Sequence, residues 1–140
     1  MERGLFINLL LAVLLICSQP VFAIDVIVNP NVEVSAIPPA QLRLIFSGKR
    51  RTWPDGTPVR VVFFDERSPV HARFCKSIIQ IHPRHIRRAW DQLLFTGSVK
   101  HRLTVSSDKE MIESVLTIPG AIGYVTELSS KEAVNAISLH

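Results

Sequence analysis

From residue 24 onward the sequence alternates between two hydrophobic periods, and that alternation leaves few architectures open to it. Five runs have strand character: Asp25–Asn29 (DVIVN), Val59–Phe64 (VRVVFF), Leu103–Val105, Ala121–Val125 (AIGYV) and Val134–Leu139. Between them lie segments of helical spacing. Leu42, Ile45 and Phe46 share one face after Pro38-Pro39. Val70, Phe74 and Ile78, with Cys75 and Ile79 on the adjoining row, share another after Ser68. Ile86, Trp90, Leu93 and Leu94 follow His82-Pro83, and Met111, Ile112, Val115 and Leu116 follow Ser107. Apolar residues at i, i+3, i+4 and i+7 make a helix with one buried stripe, whereas short β-branched runs make strands. The resulting order is strand, helix, strand, two helices, strand, helix, strand, strand. It predicts an α/β layered sandwich with a mainly parallel mixed sheet and helices on both faces. Strand order cannot be read from it.

The punctuation agrees with this division. Gly48 takes the C′ position after the first helix, and Pro54-Asp55-Gly56 makes a turn inside the polar loop Lys49–Gly56. Ser107 and Glu110 have the spacing of a capping box, in which Ser107 caps the helix and Glu110 reaches back. Pro119-Gly120 stops that helix. Gly123, inside a strand, marks a close backbone approach.

Residues 1–23 stand apart. One basic residue, an apolar run from Leu5 to Cys17 and the ending Val21-Phe22-Ala23 form a secretory signal peptide with cleavage expected after Ala23. The run is shorter than the ~20 residues of a membrane span. The remaining 117 residues, 24–140, suffice for one domain with a real core. They carry one cysteine, Cys75, so no internal disulfide can form there; its place on an apolar helix face predicts a buried structural thiol. A formal charge of +4, concentrated in Lys49-Arg50-Arg51 and in Arg84, Arg87 and Arg88, suits an anionic ligand, an acidic envelope partner or simply a solvated basic surface. The stacking-aromatic pattern of nucleic-acid binders is absent, so no nucleic-acid partner is expected.

Within this frame Val59–Phe74 (VRVVFFDERSPVHARF) is the natural place for a ligand. An apolar strand ends in Asp65-Glu66-Arg67, and a helix opens with Ser68 as N-cap and Pro69 at the first helical position. Small anions bind at the carboxyl ends of strands, where helix N-termini present backbone N–H groups. Glu66, Arg67, Ser68, Pro69 and Val70 are therefore the candidate anion-binding residues. No other constellation competes. His71, His82 and His85 lack the spacing of a metal site and are expected at the surface or as caps, and no cofactor or metal is expected. Asp65 and Glu66 are adjacent and so form no acid–base dyad. No nucleophile elbow, Walker loop or dinucleotide fingerprint occurs, so nothing points to an enzyme. Trp53 and Trp90 are expected to pack.

Three stretches together carry a family resemblance. They are VIVNPNVEVSAIPPAQLRLIFSGKRRTWPDGTPV (26–59), the helix from Trp90 to Phe95-Thr96-Gly97, and TIPGAIGYV (117–125), with Phe74 between them. The chain resembles the substrate-binding proteins of phosphate ABC transporters, and more narrowly a single lobe of that type 2 periplasmic binding-protein fold. The IFSGKRRTWPDG and PGAIGYV blocks are its most specific parts. The resemblance implies an exported, non-catalytic domain for phosphate or a related anion in transport or sensing. In the family, an arginine ends the strand, an aspartate follows, and Ser-Gly-Thr opens the helix. Aligned on Phe74, Phe64 stands at the arginine position and Glu66 at the aspartate; Ser68 is retained, Pro69 replaces the glycine and Val70 the threonine. Arg67 can offer a guanidinium from another direction. The alternatives are a periplasmic adaptor that meets an envelope protein or transporter through its basic surfaces, and a homodimer in which two lobes rebuild a cleft.

Overall fold

The computed structural model describes residues 23–126 and 135–137. Residues 1–22 of the expected leader, and both ends of the last strand run, lie outside these residues. Among the described residues five strands form one sheet: β1 (Asp25–Val28), β2 (Arg60–Phe64), β3 (Leu103–Val105), β4 (Ala121–Val125) and β5 (Asn135–Ile137). Their order is β3-β2-β4-β1-β5. β2 runs parallel to both β3 and β4, whereas β1 is antiparallel to β4 and to β5. Four strands thus point one way and β1 opposes them, the mixed sheet expected from the alternation.

The helices are α1 (Pro39–Phe46), α2 (Pro69–Phe74) continuing into a π-helical turn (Cys75–Ile79), α3 (Pro83–Phe95) and α4 (Asp108–Thr117). Side-chain alternation along β4 separates two layers. Gly123 faces α4, where an added Cβ would lie 2.4 Å from Met111 Sδ and 3.2 Å from a Val115 methyl. Tyr124 faces the other way, its ring stacked on Phe74 at 3.9 Å and edge-on to Phe46 at 5.9 Å. α4 therefore covers one face of the sheet, and α1, α2 and α3 cover the other. Phe46, Phe63, Phe74, Tyr124 and Trp90 make the aromatic centre of that second layer.

Local signals act as their chemistry requires. Ser68 Oγ accepts from the Val70 N–H, and Ser107 Oγ from the Glu110 N–H. His82 caps α3 through the Arg84 N–H. Glu110 departs slightly from the expected box: its carboxylate accepts from the backbone N–H and hydroxyl of Ser106, one residue before the cap. Both tryptophans are buried with their indole N–H groups placed, Trp53 on the Gly120 carbonyl and Trp90 on that of Phe46. The helix from Ser68 is less regular than its sequence. It widens into the π turn and ends at Gln80, which takes a left-handed φ of 53°. This keeps both Cys75 and Ile79 buried under α1.

Candidate functional site

The carboxyl end of β2 delivers the chain into Asp65–Arg67 and then into α2, as expected. The donors expected there are already used, however. Asp65 Oδ1 accepts the Arg67 N–H at 2.9 Å, and the Asp65 carbonyl accepts the Ser68 N–H at 2.9 Å. Ser68 Oγ takes the Val70 N–H at 3.2 Å, and Pro69 has none. The turn satisfies itself, so the expected cradle of free backbone N–H groups is corrected: from residues 67 to 70 only the Ser68 hydroxyl proton and the Arg67 side chain remain to offer. Arg67 is exposed, as are Glu66 and Pro69, while Ser68 and Val70 are half-buried.

A guanidinium does reach the corner, from a residue that the sequence did not mark. Arg102 immediately precedes β3, and the parallel register Val62↔Leu103 brings it alongside β2. Its guanidinium lies 4.3 Å above the Phe63 ring, a cation–π contact, and its side chain is only 11% exposed. Nη1 donates to Glu66 Oε1 at 2.9 Å. Nε and Nη2 are shut off from solvent and have no hydrogen-bond partner among the described residues. Buried polar groups are almost always hydrogen-bonded, and an arginine offers five N–H donors in a planar fork suited to oxyanions. The other oxygen of Glu66 is 3.6 Å from Arg87 Nη1, on α3. Beside this pair lies a cleft of about 220 Å³ lined by Glu66, Pro83, Arg84 and Arg87.

Behind the corner is a small buried polar group. Tyr124 Oη accepts the Phe64 N–H at 3.1 Å and lies 2.7 Å from His71 Nδ1. The direction of this second bond depends on the His71 tautomer: the hydroxyl donates when Nδ1 carries no proton. In that tautomer the imidazole proton is on Nε2, 3.6 Å from Cys75 Sγ. His71 is fully buried, which corrects its expected surface or capping place; His82 and His85 are exposed. Burial, and then the charge of Arg102, hold the His71 pKa below its ordinary value, although Glu66 and Asp65 pull the other way. Burial pushes the Cys75 thiol up to about 11, the behaviour expected of a structural thiol. Among the described residues no cluster of metal-ligating side chains occurs, and no helix is long and apolar enough to cross a membrane.

The fold has clear counterparts among solved structures. PstS from Borrelia burgdorferi superposes with a TM-score of 0.67 at 18% identity, covering 84% of this chain and 47% of that one. The fold matches that of one lobe of this structure. A Clostridium perfringens protein described as a phosphate ABC transporter substrate-binding protein, solved with phosphate bound, gives 0.67 at 18% identity over 83% and 44% of the two chains. An ABC-type phosphate transport receptor from Vibrio cholerae gives 0.63 at 20% identity over 84% and 47%. This chain spans about half the length of each of these structures. No protein-family model matches the sequence, and no match was found among curated proteins. The likeness is thus one of fold, and it bears out the resemblance read from the sequence at that level.

Of the five expected site residues, the structure joins Glu66 to two arginines and keeps Ser68 at the helix cap. Arg67 is exposed, and a second guanidinium, that of Arg102, lies at the corner on Phe63 and Glu66. Nothing local distinguishes Arg102 in Lys100-His101-Arg102. Only the pairing of β3 with β2 could have identified it, and pairing was the part of the topology that remained open.

Proposed function

We propose that this protein is an exported, non-catalytic binding domain of the phosphate-binding-protein fold that takes phosphate or a related small oxyanion at the Glu66–Val70 corner, for transport or sensing. The observation that carries this reading is Arg102. A guanidinium held on an aromatic ring and reaching Glu66 just beyond the carboxyl end of β2, with two enclosed nitrogens that have no hydrogen-bond partner among the described residues, has the chemistry of an oxyanion receptor. The fold's phosphate-binding counterparts support the choice of ligand. Glu66 and Ser68 lie at this corner, with Arg67, Pro69 and Val70 at its rim. The export part of this reading rests on the sequence of residues 1–23, and amino-terminal sequencing of the exported protein should begin at Ile24.

Isothermal titration with inorganic phosphate tests the reading. Each charge-assisted hydrogen bond is worth about 1.5–3 kcal/mol, so Arg102→Gln should weaken binding at least ten-fold, with the variant still folded. A folded wild-type protein that releases no heat at millimolar phosphate overturns it.

A second reading has its own observation. Arg84, Arg87 and Arg88 are exposed along α3, and Phe95 at its end is 93% exposed, a surface suited to an acidic envelope partner. Charge reversal at Arg84 and Arg88 should abolish capture of such a partner from envelope extract, whereas Arg102→Gln should not.

A further inference from the structure

We propose that the Glu66 carboxylate is a tethered occupant of the anion seat, holding the place between Arg102 and Arg87 until a small oxyanion displaces it; this rests on the anion-binding reading above. One Glu66 oxygen meets Arg102 at 2.9 Å and the other faces Arg87 at 3.6 Å. A carboxylate that shares its two oxygens between two guanidiniums sits where a ligand oxyanion gains most, because both positive charges converge there. The chain's own acid therefore marks the seat.

The fit is incomplete in an informative way. Glu66 satisfies one nitrogen of Arg102 and leaves Nε and Nη2 without hydrogen-bond partners among the described residues. A carboxylate fixed to the Asp65–Arg67 turn cannot turn freely to serve both ends of the guanidinium fork. A free tetrahedral oxyanion has more oxygens and no tether, so it can span Nη1 and Nη2 together and still face Arg87. Since those nitrogens are already closed to solvent, a ligand gains them only if a group at the site moves. Arg102 is fixed by its position over Phe63, with its side chain 11% exposed. Glu66 is 40% exposed and lies in a turn, so it is the group that moves. The cleft lined by Pro83, Arg84 and Arg87 lies directly beside it and gives the incoming anion a cationic approach.

The sign of this role is opposite to that of a binding residue. An acid that accepts a proton from the ligand is needed for affinity, whereas a tethered competitor lowers affinity. Phosphate titrations of the wild type, Glu66→Gln, Glu66→Ala and Arg102→Gln distinguish the two. Removing the carboxylate should tighten binding at least ten-fold in both Glu66 variants, while Arg102→Gln should bind more weakly than wild type. The Arg102 Nε–H resonance in a nitrogen-15 spectrum adds a second readout. It should shift on Glu66→Gln without ligand and shift again on phosphate addition. Glu66 variants that bind equally or more weakly than a phosphate-binding wild type overturn the competitor role and leave the anion site standing. Absence of binding in the wild type and in folded Glu66 variants alike overturns both.

Discussion

His71 makes the stability of this fold sensitive to acid. Its imidazole is fully buried, is hydrogen-bonded to the Tyr124 hydroxyl and lies near the charge of Arg102, with Glu66 and Asp65 as the nearby acids and Cys75 as a neutral neighbour. Burial is the first cause that keeps its folded pKa below 6.5. The unfolded chain therefore binds the proton more readily, and stability falls as pH drops from about 6.5 toward the folded value; above that range the contribution is fully present. Urea unfolding at pH 7.5, 6.5 and 5.5 should show the midpoint decreasing across the lower interval. In His71→Asn that decrease should flatten, at a cost of about 1–3 kcal/mol for the disturbed Tyr124 contact at every pH. A pH response that is unchanged in the variant would assign the acid sensitivity to other groups. His71 was not legible in the sequence, because it lies within a helix turn of the apolar row yet is itself polar. Only the placement of Tyr124 and Phe64 explains its burial. Arg102 was hidden for a similar reason, since its partners Phe63 and Glu66 lie far from it along the chain.

At the scale of elements, the boundaries were the readable part, since proline, glycine and capping side chains act through local backbone chemistry. Gly48 and Gly56 both have left-handed φ where a turn was expected, and Ser68 and Ser107 cap as expected. The π turn at Cys75–Ile79 gave no such sign, because a wide turn carries the same apolar spacing as the helix it interrupts. Two glycines separate backbone preference from packing. Gly56 has a φ of +87° with nothing within 4 Å of an added Cβ. Gly120 has a φ of +75°, but an added Cβ would lie 2.2 Å from the Pro58 carbonyl oxygen, and its own carbonyl receives the Trp53 indole. Gly56→Ala should cost about 1–2 kcal/mol, the left-handed penalty alone. Gly120→Ala adds a clash with backbone and should cost roughly 3 kcal/mol or more. Chemical denaturation of the two variants checks the ordering, and equal losses would mean that the 52–58 loop yields freely.

For the whole molecule, the sequence conveyed the class of architecture and left the arrangement of strands open. Alternating periods establish which segments bury which faces, but the order β3-β2-β4-β1-β5 depends on pairings between distant segments. β1 is the least obvious of these. It lies inside the sheet, with β4 on one side and β5 on the other, in the registers Ile27↔Gly123 and Ile27↔Ala136. Deleting residues 127–140 should therefore do more than shorten the chain: it strips the outer ladder from β1 and leaves a new edge of Val26, Ile27 and Val28. Such an edge promotes association between chains. The shortened protein should melt at a lower temperature and sediment as aggregates, and a truncated protein that stays monomeric would show that β5 is dispensable. The same placement has a consequence in time. As the chain is synthesised, its first strand emerges about a hundred residues before either of its neighbours. β1 cannot be seated until residues 121–137 have appeared, so a nascent molecule cannot lock this part of its sheet before those strands arrive.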